Sequence, residues 1–92
     1  MKVIGKIKLE EFASQHADMR SQADSWLAEA KEAQWRTPHD LKAAYPRASI
    51  LKDRYVVFDL VNNRYRLKVQ INYSGQVIFI TDVGTHKDYM KW

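Results

Sequence analysis

The sequence predicts an α+β fold in which a small, mostly antiparallel sheet carries helices on one face. Up to about residue 44, apolar residues recur with the 3.6-residue period of amphipathic helices. From residue 54 onward, apolar and polar residues alternate, as they do in strands with one buried face. Short linkers rich in Asn, Ser and Gly separate the alternating stretches, which favours hairpins. The length of 92 residues fits a single domain spanning 1–92.

The N-terminal third predicts a short strand followed by two helices. Residues 1–5 alternate weakly and are expected to form an edge strand, and residues 6–16 read as a helix. Asp18 is a plausible N-cap for a second amphipathic helix that runs to about Trp35.

A third, shorter helix is predicted after the segment TPHD. Thr37 can cap its N-terminus, and Pro38 suits the first helical position because that residue needs no backbone N–H. The helix is expected to end near Ala44, since Pro46 disfavours helical geometry just before it.

Three alternating stretches predict three strands, at residues 54–60, 64–73 and 76–83. Asn62-Asn63 and Ser74-Gly75 are the predicted two-residue turns, because Asn tolerates and Gly freely adopts positive φ. The predicted order of elements is therefore β-α-α-(α)-β-β-β, with a short helix at the C-terminus.

Two-residue turns fix the register of the strands, and the register sorts the side chains between the two faces of the sheet. Across the first turn the predicted pairs are Asp59–Arg66, Val57–Lys68 and Tyr55–Gln70. Across the second they are Asn72–Val77, Gln70–Phe79, Lys68–Thr81 and Arg66–Val83. One face then collects only residues suited to a core: Val56, Phe58, Leu60, Tyr65, Leu67, Val69, Ile71, Ile78 and Ile80. The opposite face, which we call the basic face, mixes cations with Tyr55, Val57, Val77, Phe79 and Val83.

The positive charge of the chain lies in its C-terminal half. Residues 1–46 hold seven Lys/Arg and seven Asp/Glu, whereas residues 47–92 hold eight and four, which accounts for the net charge of +4. The strand at 64–73 begins with three outward cations, Arg64, Arg66 and Lys68. This pattern favours a polyanionic partner. The alternative is a loosely covered outer layer with an Asp59–Arg66 pair and no ligand, since an isoelectric point near 9.4 is common among small proteins.

Several kinds of protein are disfavoured by composition. The chain has no cysteine and three histidines, which excludes disulfides and thiolate catalysis and gives no reason to expect a metal or cofactor. It has no apolar run long enough to span a bilayer and no signal peptide, so the expectation is a cytoplasmic protein without membrane contact.

The C-terminal segment GTHKDYMKW, residues 84–92, predicts a site beside the cationic strand. Thr85 and Asp88 have capping-box spacing for a short helix. That helix would place His86 and Tyr89 on one side, three residues apart, and Lys87 and Lys91 together, four residues apart. Because the segment leaves a strand that neighbours Arg66, we expect the imidazole and the phenol to converge on that arginine.

The chain resembles the HigB family of bacterial toxins, within the RelE superfamily of mRNA interferases. The resemblance covers nearly the whole chain and is carried by Trp26, Trp35 and the segments TPHDLKAAYPRAS (37–49), VVFDLVNNRYRL (56–67), INYSGQVIFI (71–80) and GTHKDYMK (84–91). The chain departs from the family at Asp59-Leu60, where members tend to have Asn-Ile, at Asn62-Asn63, where they tend to have Gly-Asn, and at Met90, where they often have Asp.

The resemblance implies a RelE-like fold and the toxin of a type II toxin–antitoxin pair. Such a toxin cleaves mRNA, generally on the translating ribosome, and is silenced by a cognate, HigA-like antitoxin protein. RNA carries its own nucleophile, the 2′-OH, so cleavage needs a base, an acid and positive charge for the transition state, and none of these requires a metal.

The residue types suggest roles on the basic face. The predicted catalytic residues are Arg66, Lys68, His86 and Tyr89, and the predicted RNA-binding residues are Arg64, Asn72, Lys87 and Lys91. The guanidinium of Arg66 would hold the phosphate with two donors, and Lys68 would be a second clamp or a proton donor. Either His86 or Tyr89 could transfer the proton. Two alternatives remain: a non-catalytic RNA-binding or regulatory module with the same face, and a face that serves only a partner protein.

Overall fold

The computed structural model describes residues 1–92. Its elements in chain order are β1 (Lys2–Ile4), α1 (Lys6–Gln15), α2 (Arg20–Glu32), α3 (Pro38–Ala44), β2 (Ser49–Ile50), β3 (Tyr55–Leu60), β4 (Tyr65–Asn72), β5 (Val77–Thr85) and α4 (His86–Tyr89), with single 3₁₀ turns at Ala17–Met19 and Lys52–Arg54. The predicted α+β class is confirmed. None of the helices has both the length and the apolar character needed to cross a membrane.

All five strands form one sheet in the order β1-β5-β4-β3-β2. β1 pairs with β5 in parallel, and every other neighbouring pair is antiparallel. The predicted edge strand near the N-terminus is therefore present, and the central strand β4 lies between the two longest ladders. The sheet is compatible with the RelE-like fold.

The helices cover one face of the sheet and form the core with it. All nine side chains predicted for that face are buried in a single apolar cluster with residues of the helices. Leu9 and Ala13 of α1 and Trp26 of α2 are among the helical residues that contact them. Burying this much apolar surface is the main stabilising term of the fold. It also leaves the basic face on the outside of the sheet.

The start of the second helix differs from the prediction, whereas the start of the third agrees with it. Asp18 does not cap α2; it lies in the 3₁₀ turn, and Met19 occupies the N-cap position without a side-chain hydrogen bond. The carboxylate of Asp18 instead accepts hydrogen bonds from Arg64 and Tyr65, so it joins the helical layer to the start of β4. Thr37 caps α3 as predicted, by accepting from the backbone N–H of Asp40.

The first hairpin has the predicted turn and register. The N–H of Arg64 donates to the carbonyl of Val61 at 3.0 Å, and Asn62 and Asn63 both have positive φ, 51° and 71°. Positive φ at both central residues is what the type I′ turn of a hairpin requires, and Val61 before them also has positive φ, 53°. The three predicted pairs Asp59–Arg66, Val57–Lys68 and Tyr55–Gln70 are all present.

The second hairpin begins in the predicted register and then shifts by one residue. Its first two pairs, Asn72–Val77 and Gln70–Phe79, are confirmed. Between Lys68 and Val69 a β-bulge interrupts the ladder, so Lys68 pairs with Asp82 and Arg66 pairs with Gly84. The predicted pairs Lys68–Thr81 and Arg66–Val83 are therefore wrong.

The extra residue of the bulge is Thr81, and it changes which side chains reach the basic face. Its hydroxyl donates to the carbonyl of Lys68 at 3.1 Å, which holds the irregularity in place. Beyond it, Val83 packs against the apolar core and not on the basic face as predicted. A residue without a side chain, Gly84, lies opposite Arg66 instead.

Candidate active site

Arg66 lies at the centre of the basic face and is the most buried charged residue of the chain, with 8% of its surface exposed. It belongs to the central strand, and α4 folds back across it directly after β5 ends. The glycine opposite makes this approach possible: a Cβ at Gly84 would lie 2.7 Å from the Cβ of Asp88 in α4. The bulge and this glycine together bring α4 over the arginine.

Protein groups surround the guanidinium of Arg66 on three sides. Its Nε lies 3.0 Å from a carboxylate oxygen of Asp59, and its Nη1 donates to the carbonyl of Asn63 at 2.7 Å and more weakly to that of Tyr65 at 3.4 Å. Its Nη2 donates to Nδ1 of His86 at 3.1 Å. Hydrogen bonds take both N–H groups of Nη1 and one of Nη2, and the ion pair occupies Nε, which leaves one N–H of Nη2 for a ligand. The predicted two-donor grip on a phosphate is therefore not available in this arrangement.

The contact with Arg66 determines which nitrogen of His86 carries the proton. A guanidinium only donates, so Nδ1 of His86 must accept, and the ring N–H lies on Nε2. His86 is exposed at the first position of α4. In this arrangement the neutral imidazole presents a hydrogen-bond donor to the outside and has no free acceptor.

Tyr89 completes the group around the arginine. The carbon at the centre of the Arg66 guanidinium lies 5.3 Å from the centre of the Tyr89 ring, within the range of a cation–π contact. The rings of His86 and Tyr89 are 6.3 Å apart. The structure thus brings together three of the four residues that the sequence predicts to be catalytic. We refer to Arg66, Asp59, His86 and Tyr89 as the Arg66 cluster.

The position of α4 is fixed by its capping box. The hydroxyl of Thr85 accepts from the backbone N–H of Asp88, and the carboxylate of Asp88 accepts from the backbone N–H of Thr85. That backbone hydrogen bond is the main reason why the pKa of Asp88 is lowered from its ordinary value. The predicted capping box is confirmed, and it holds His86 and Tyr89 in place over Arg66.

Lys68, the fourth predicted catalytic residue, lies next to the Arg66 cluster on the same strand face. Its ammonium is 4.7 Å from the centre of the Tyr55 ring, and it makes no ion pair. An open cleft of about 270 Å³ borders it. The cleft is lined by Leu51, Val57, Lys68, Tyr89, Met90 and Trp92. The C-terminal tail therefore borders part of the basic face, including Val57, which is 1% exposed although it does not belong to the apolar cluster under the helices.

Two of the predicted RNA-binding residues are placed away from this cleft. Arg64 precedes β4 and donates to Asp18 of the helical layer at 2.7 Å. The pKa of Asp18 is lowered, chiefly by the hydrogen bond from Tyr65 and also by Arg64.

Asn72, the second of these, lies at the opposite end of β4. Its side-chain oxygen accepts from Ser74 and Gly75 and so shapes the second turn. Six residues of strand put it about 20 Å from Arg66.

The other two predicted RNA-binding residues stay beside the cluster. Lys87 and Lys91 are exposed, on α4 and on the tail that follows it, and neither forms an ion pair. Residue pattern alone did not single out the carbonyl of Asn63, which is the closest partner of Arg66. The preference of an Asn-Asn pair for a type I′ turn was the available signal, because that turn directs this carbonyl toward β4.

Comparison with known proteins decides the family. The sequence matches the HigB toxin family, described as the RelE-like toxic component of a toxin–antitoxin system, over residues 19–92. The chain belongs to the HigB toxin family. The matched region includes the complete Arg66 cluster and all of α2, α3 and β2 to β5.

Relatives of this HigB-family chain carry the name of mRNA interferases. The mRNA interferase HigB of Escherichia coli O6:H1, strain CFT073, is 26% identical over 93 residues, which cover 99% of this chain and 90% of the relative. The mRNA interferase toxin HigB of Escherichia coli K12 is 32% identical over 57 residues, which cover 60% of this chain and 55% of that protein. A Shigella flexneri mRNA interferase HigB matches to the same extent.

Proposed function

We propose that residues 1–92 form a single toxin domain that cleaves mRNA as an endoribonuclease. The observation that carries this proposal is the Arg66 cluster: a cation, an imidazole and a phenol meet on the basic face of a HigB-family chain. The names of its relatives support mRNA as the substrate. The proposed reaction is attack of the 2′-OH on the adjacent phosphate, which leaves a 2′,3′-cyclic phosphate and a 5′-hydroxyl. It proceeds without a metal, because the nucleophile is part of the RNA.

Arg66 and Lys68 supply the positive charge for the transition state. The free N–H of Arg66 donates to one phosphate oxygen, while its other donors hold it rigidly in place. A donor that is already oriented stabilises developing charge without reorganisation during the reaction. Lys68 faces the cleft that Tyr89 also lines and provides a second cation.

The two candidates for proton transfer receive different roles. Since neutral His86 presents only an Nε2–H, we assign it to donate a hydrogen bond to the phosphate. A proton on Nδ1 would face the donor group of Arg66, so His86 can act as an imidazolium acid only after that contact opens. The phenol of Tyr89 has no hydrogen bond to another protein group and packs against Arg66, and we assign to it protonation of the departing 5′-oxygen. The proton of the 2′-OH passes to water, from which the phenolate recovers its own.

Lys87 and Lys91 are assigned to the RNA backbone and, we propose, to the ribosome that presents the mRNA. Both ammonium groups are exposed near the Arg66 cluster, where they can reach flanking phosphates. Such contacts position a nucleic acid without reading its sequence. The proposed protein partner is a HigA-like antitoxin, as expected for the toxic component of a toxin–antitoxin system.

The proposal is tested by mapping RNA ends after brief expression of the chain in growing bacteria. We expect growth arrest and new 5′-hydroxyl ends within translated regions, both absent from a variant that carries His86→Ala and Tyr89→Phe. A translation inhibitor that empties ribosomes of mRNA should suppress the new ends if cleavage depends on the ribosome. Salt-sensitive RNA binding with no new ends would instead support the non-catalytic module.

A second experiment tests whether His86 donates a hydrogen bond or transfers a proton. His86→Gln keeps an N–H donor near the position of Nε2 but cannot titrate. We expect it to retain much more of the single-turnover rate than His86→Ala and to leave the shape of the pH–rate profile unchanged. If His86→Gln is as slow as His86→Ala and loses a limb of the profile, His86 transfers the proton.

A further inference from the structure

We infer that Asp59 is a positioning residue that orients Arg66 and, through it, sets the tautomer of His86. The expected effect of Asp59 on the cleavage rate rests on the proposed function. Its expected effect on the tautomer of His86 rests on the structure alone. This role gives a function to an ion pair that would otherwise count only as structural.

The geometry forms a chain of three contacts. A carboxylate oxygen of Asp59 lies 3.0 Å from Nε of Arg66. The remaining nitrogen, Nη1, is held by the carbonyl of Asn63 at 2.7 Å. With Nε and Nη1 both fixed, the plane and direction of Nη2 are determined, and Nη2 donates to Nδ1 of His86.

The location of Asp59 in the sheet restricts the orientation of the Arg66 guanidinium. Asp59 pairs with Arg66 across β3 and β4, so both Cα atoms are fixed by the ladder. The side chain of Arg66 is 10% exposed and that of Asp59 is 22% exposed, so most of the ion pair is shielded from water although part of the Asp59 side chain still reaches it. An ion pair in such a setting is stronger than its counterpart on an open surface.

Without the carboxylate at residue 59, the guanidinium loses its partner at Nε and can turn about the Cδ–Nε bond. Nη2 would then no longer be directed at Nδ1, and the imidazole could adopt either tautomer or turn away. Displacement of catalytic groups by about 1 Å can cost on the order of 100-fold in rate. The loss should appear in the rate at saturation and not in KM, because the exposed lysines that hold the RNA are untouched.

Two substitutions at Asp59 distinguish the effect of its acceptor oxygen from the effect of its negative charge. Asp59→Asn keeps an oxygen for Nε and removes the negative charge, and its amide N–H groups can turn to the exposed side. Asp59→Ala removes both. A positioning role predicts that Asp59→Asn stays within a few-fold of the wild-type rate, whereas Asp59→Ala falls on the order of 100-fold.

The matched control is Asp24→Ala, on the outer surface of α2. Asp24 is exposed and makes no side-chain hydrogen bond or ion pair, so its removal raises the net charge by the same one unit. We expect it to leave rate and KM unchanged. Thermal unfolding of every variant shows which ones are folded at the assay temperature, and Asp59→Asn still tests the inference if Asp59→Ala is not.

Nitrogen-15 NMR of the histidine side chains gives a readout that needs no cleavage. Wild-type protein and Asp59→Asn should show His86 with Nε2 protonated and Nδ1 bare, and Asp59→Ala should show a mixture of tautomers. If the wild-type chain does not cleave RNA but the tautomers behave in this way, only the proposed function fails. The positioning role is refuted if folded Asp59→Ala retains both the wild-type rate and the single tautomer, or if Asp59→Asn is as slow as Asp59→Ala.

Discussion

Replacing Arg66 by alanine should separate stability from catalysis, and the structure gives a magnitude for each. The change removes three hydrogen bonds and one ion pair, and it leaves the carboxylate of Asp59 without its cation. Breaking a fully buried pair costs about 3–5 kcal/mol. Because the side chain of Asp59 is 22% exposed and can regain water, we expect about 2–3 kcal/mol in the free energy of unfolding. Replacing an exposed arginine by alanine would change the free energy of unfolding by no more than about 0.5 kcal/mol.

The expected loss in rate follows from the single free donor of Arg66. One well-oriented donor to a developing oxyanion contributes on the order of 10²–10³ in rate. Since proteins of this size are stable by about 5–15 kcal/mol, Arg66→Ala should still be folded, and its single-turnover rate at saturation can be measured. Arg66→Lys should recover part of the stability but little of the rate, because one ammonium cannot bridge Asp59 and His86.

The control is Arg20→Ala, an exposed cation on α2 with no side-chain partner. It should match wild type in urea denaturation and in cleavage, apart from a small effect of net charge on RNA binding. Wild-type turnover by folded Arg66→Ala at saturation would make Arg66 a purely structural partner of Asp59 and would refute the proposed site.

Four further outcomes are expected. Cleavage should persist in excess EDTA with ribosomes kept intact by polyamines, and a loss that only Mg²⁺ or Mn²⁺ restores on naked RNA would contradict the reaction proposed. Gly84→Ala should displace α4 through the contact at 2.7 Å, destabilise the fold by about 1–3 kcal/mol and lower the rate more than KM changes. Replacing Lys87 and Lys91 by alanine should reduce the salt slope of RNA binding by about 0.7 per lysine, with turnover of bound RNA unaltered. Because the pKa of Asp18 is lowered by folding, its contribution to stability is present above its ordinary pKa and is lost as pH falls, so urea midpoints of wild type and Asp18→Asn should converge below about pH 4.

Local chemistry made much of the fold predictable. The type I′ turn at Asn62-Asn63 needs residues that tolerate positive φ, and its two-residue length sets the register that pairs Asp59 with Arg66. The capping box of α4 is likewise a short-range pattern in the sequence, between Thr85 and Asp88. Features that depend on a few neighbouring residues could therefore be located in advance, including the convergence of the His86 segment on the cationic strand.

Features that depend on a break in a pattern were missed. The alternation through residues 77–83 continues to Val83 as if β5 were regular, and the bulge at Thr81 was not predicted. The sequence did contain a signal: unbroken alternation would place Asp82 on the core face, beside Ile78 and Ile80. An unpaired carboxylate under the helices is costly, so a change of side was the better interpretation. The burial of Arg66 was missed for the same reason. The register shift places Gly84 opposite Arg66, and α4 can cover the arginine only because that glycine has no side chain.

The bulge therefore connects the irregularity of the sheet to the proposed chemistry. In an unshifted ladder the neighbour of Arg66 would be Val83, whose side chain would occupy the space above the strand. With one extra residue in β5, Val83 turns to the core and Gly84 takes its place, so α4 can cross directly over the guanidinium. Bulges bend a strand and redirect the side chains beyond them, and they are frequent beside active sites. Here the redirected side chains are His86 and Tyr89, and the cost of one interrupted ladder position is offset by the hydrogen bond from Thr81 to Lys68. The bulge is a feature that strict alternation does not predict. It is also what allows an exposed imidazole, a phenol and a buried arginine to meet at one point of the sheet.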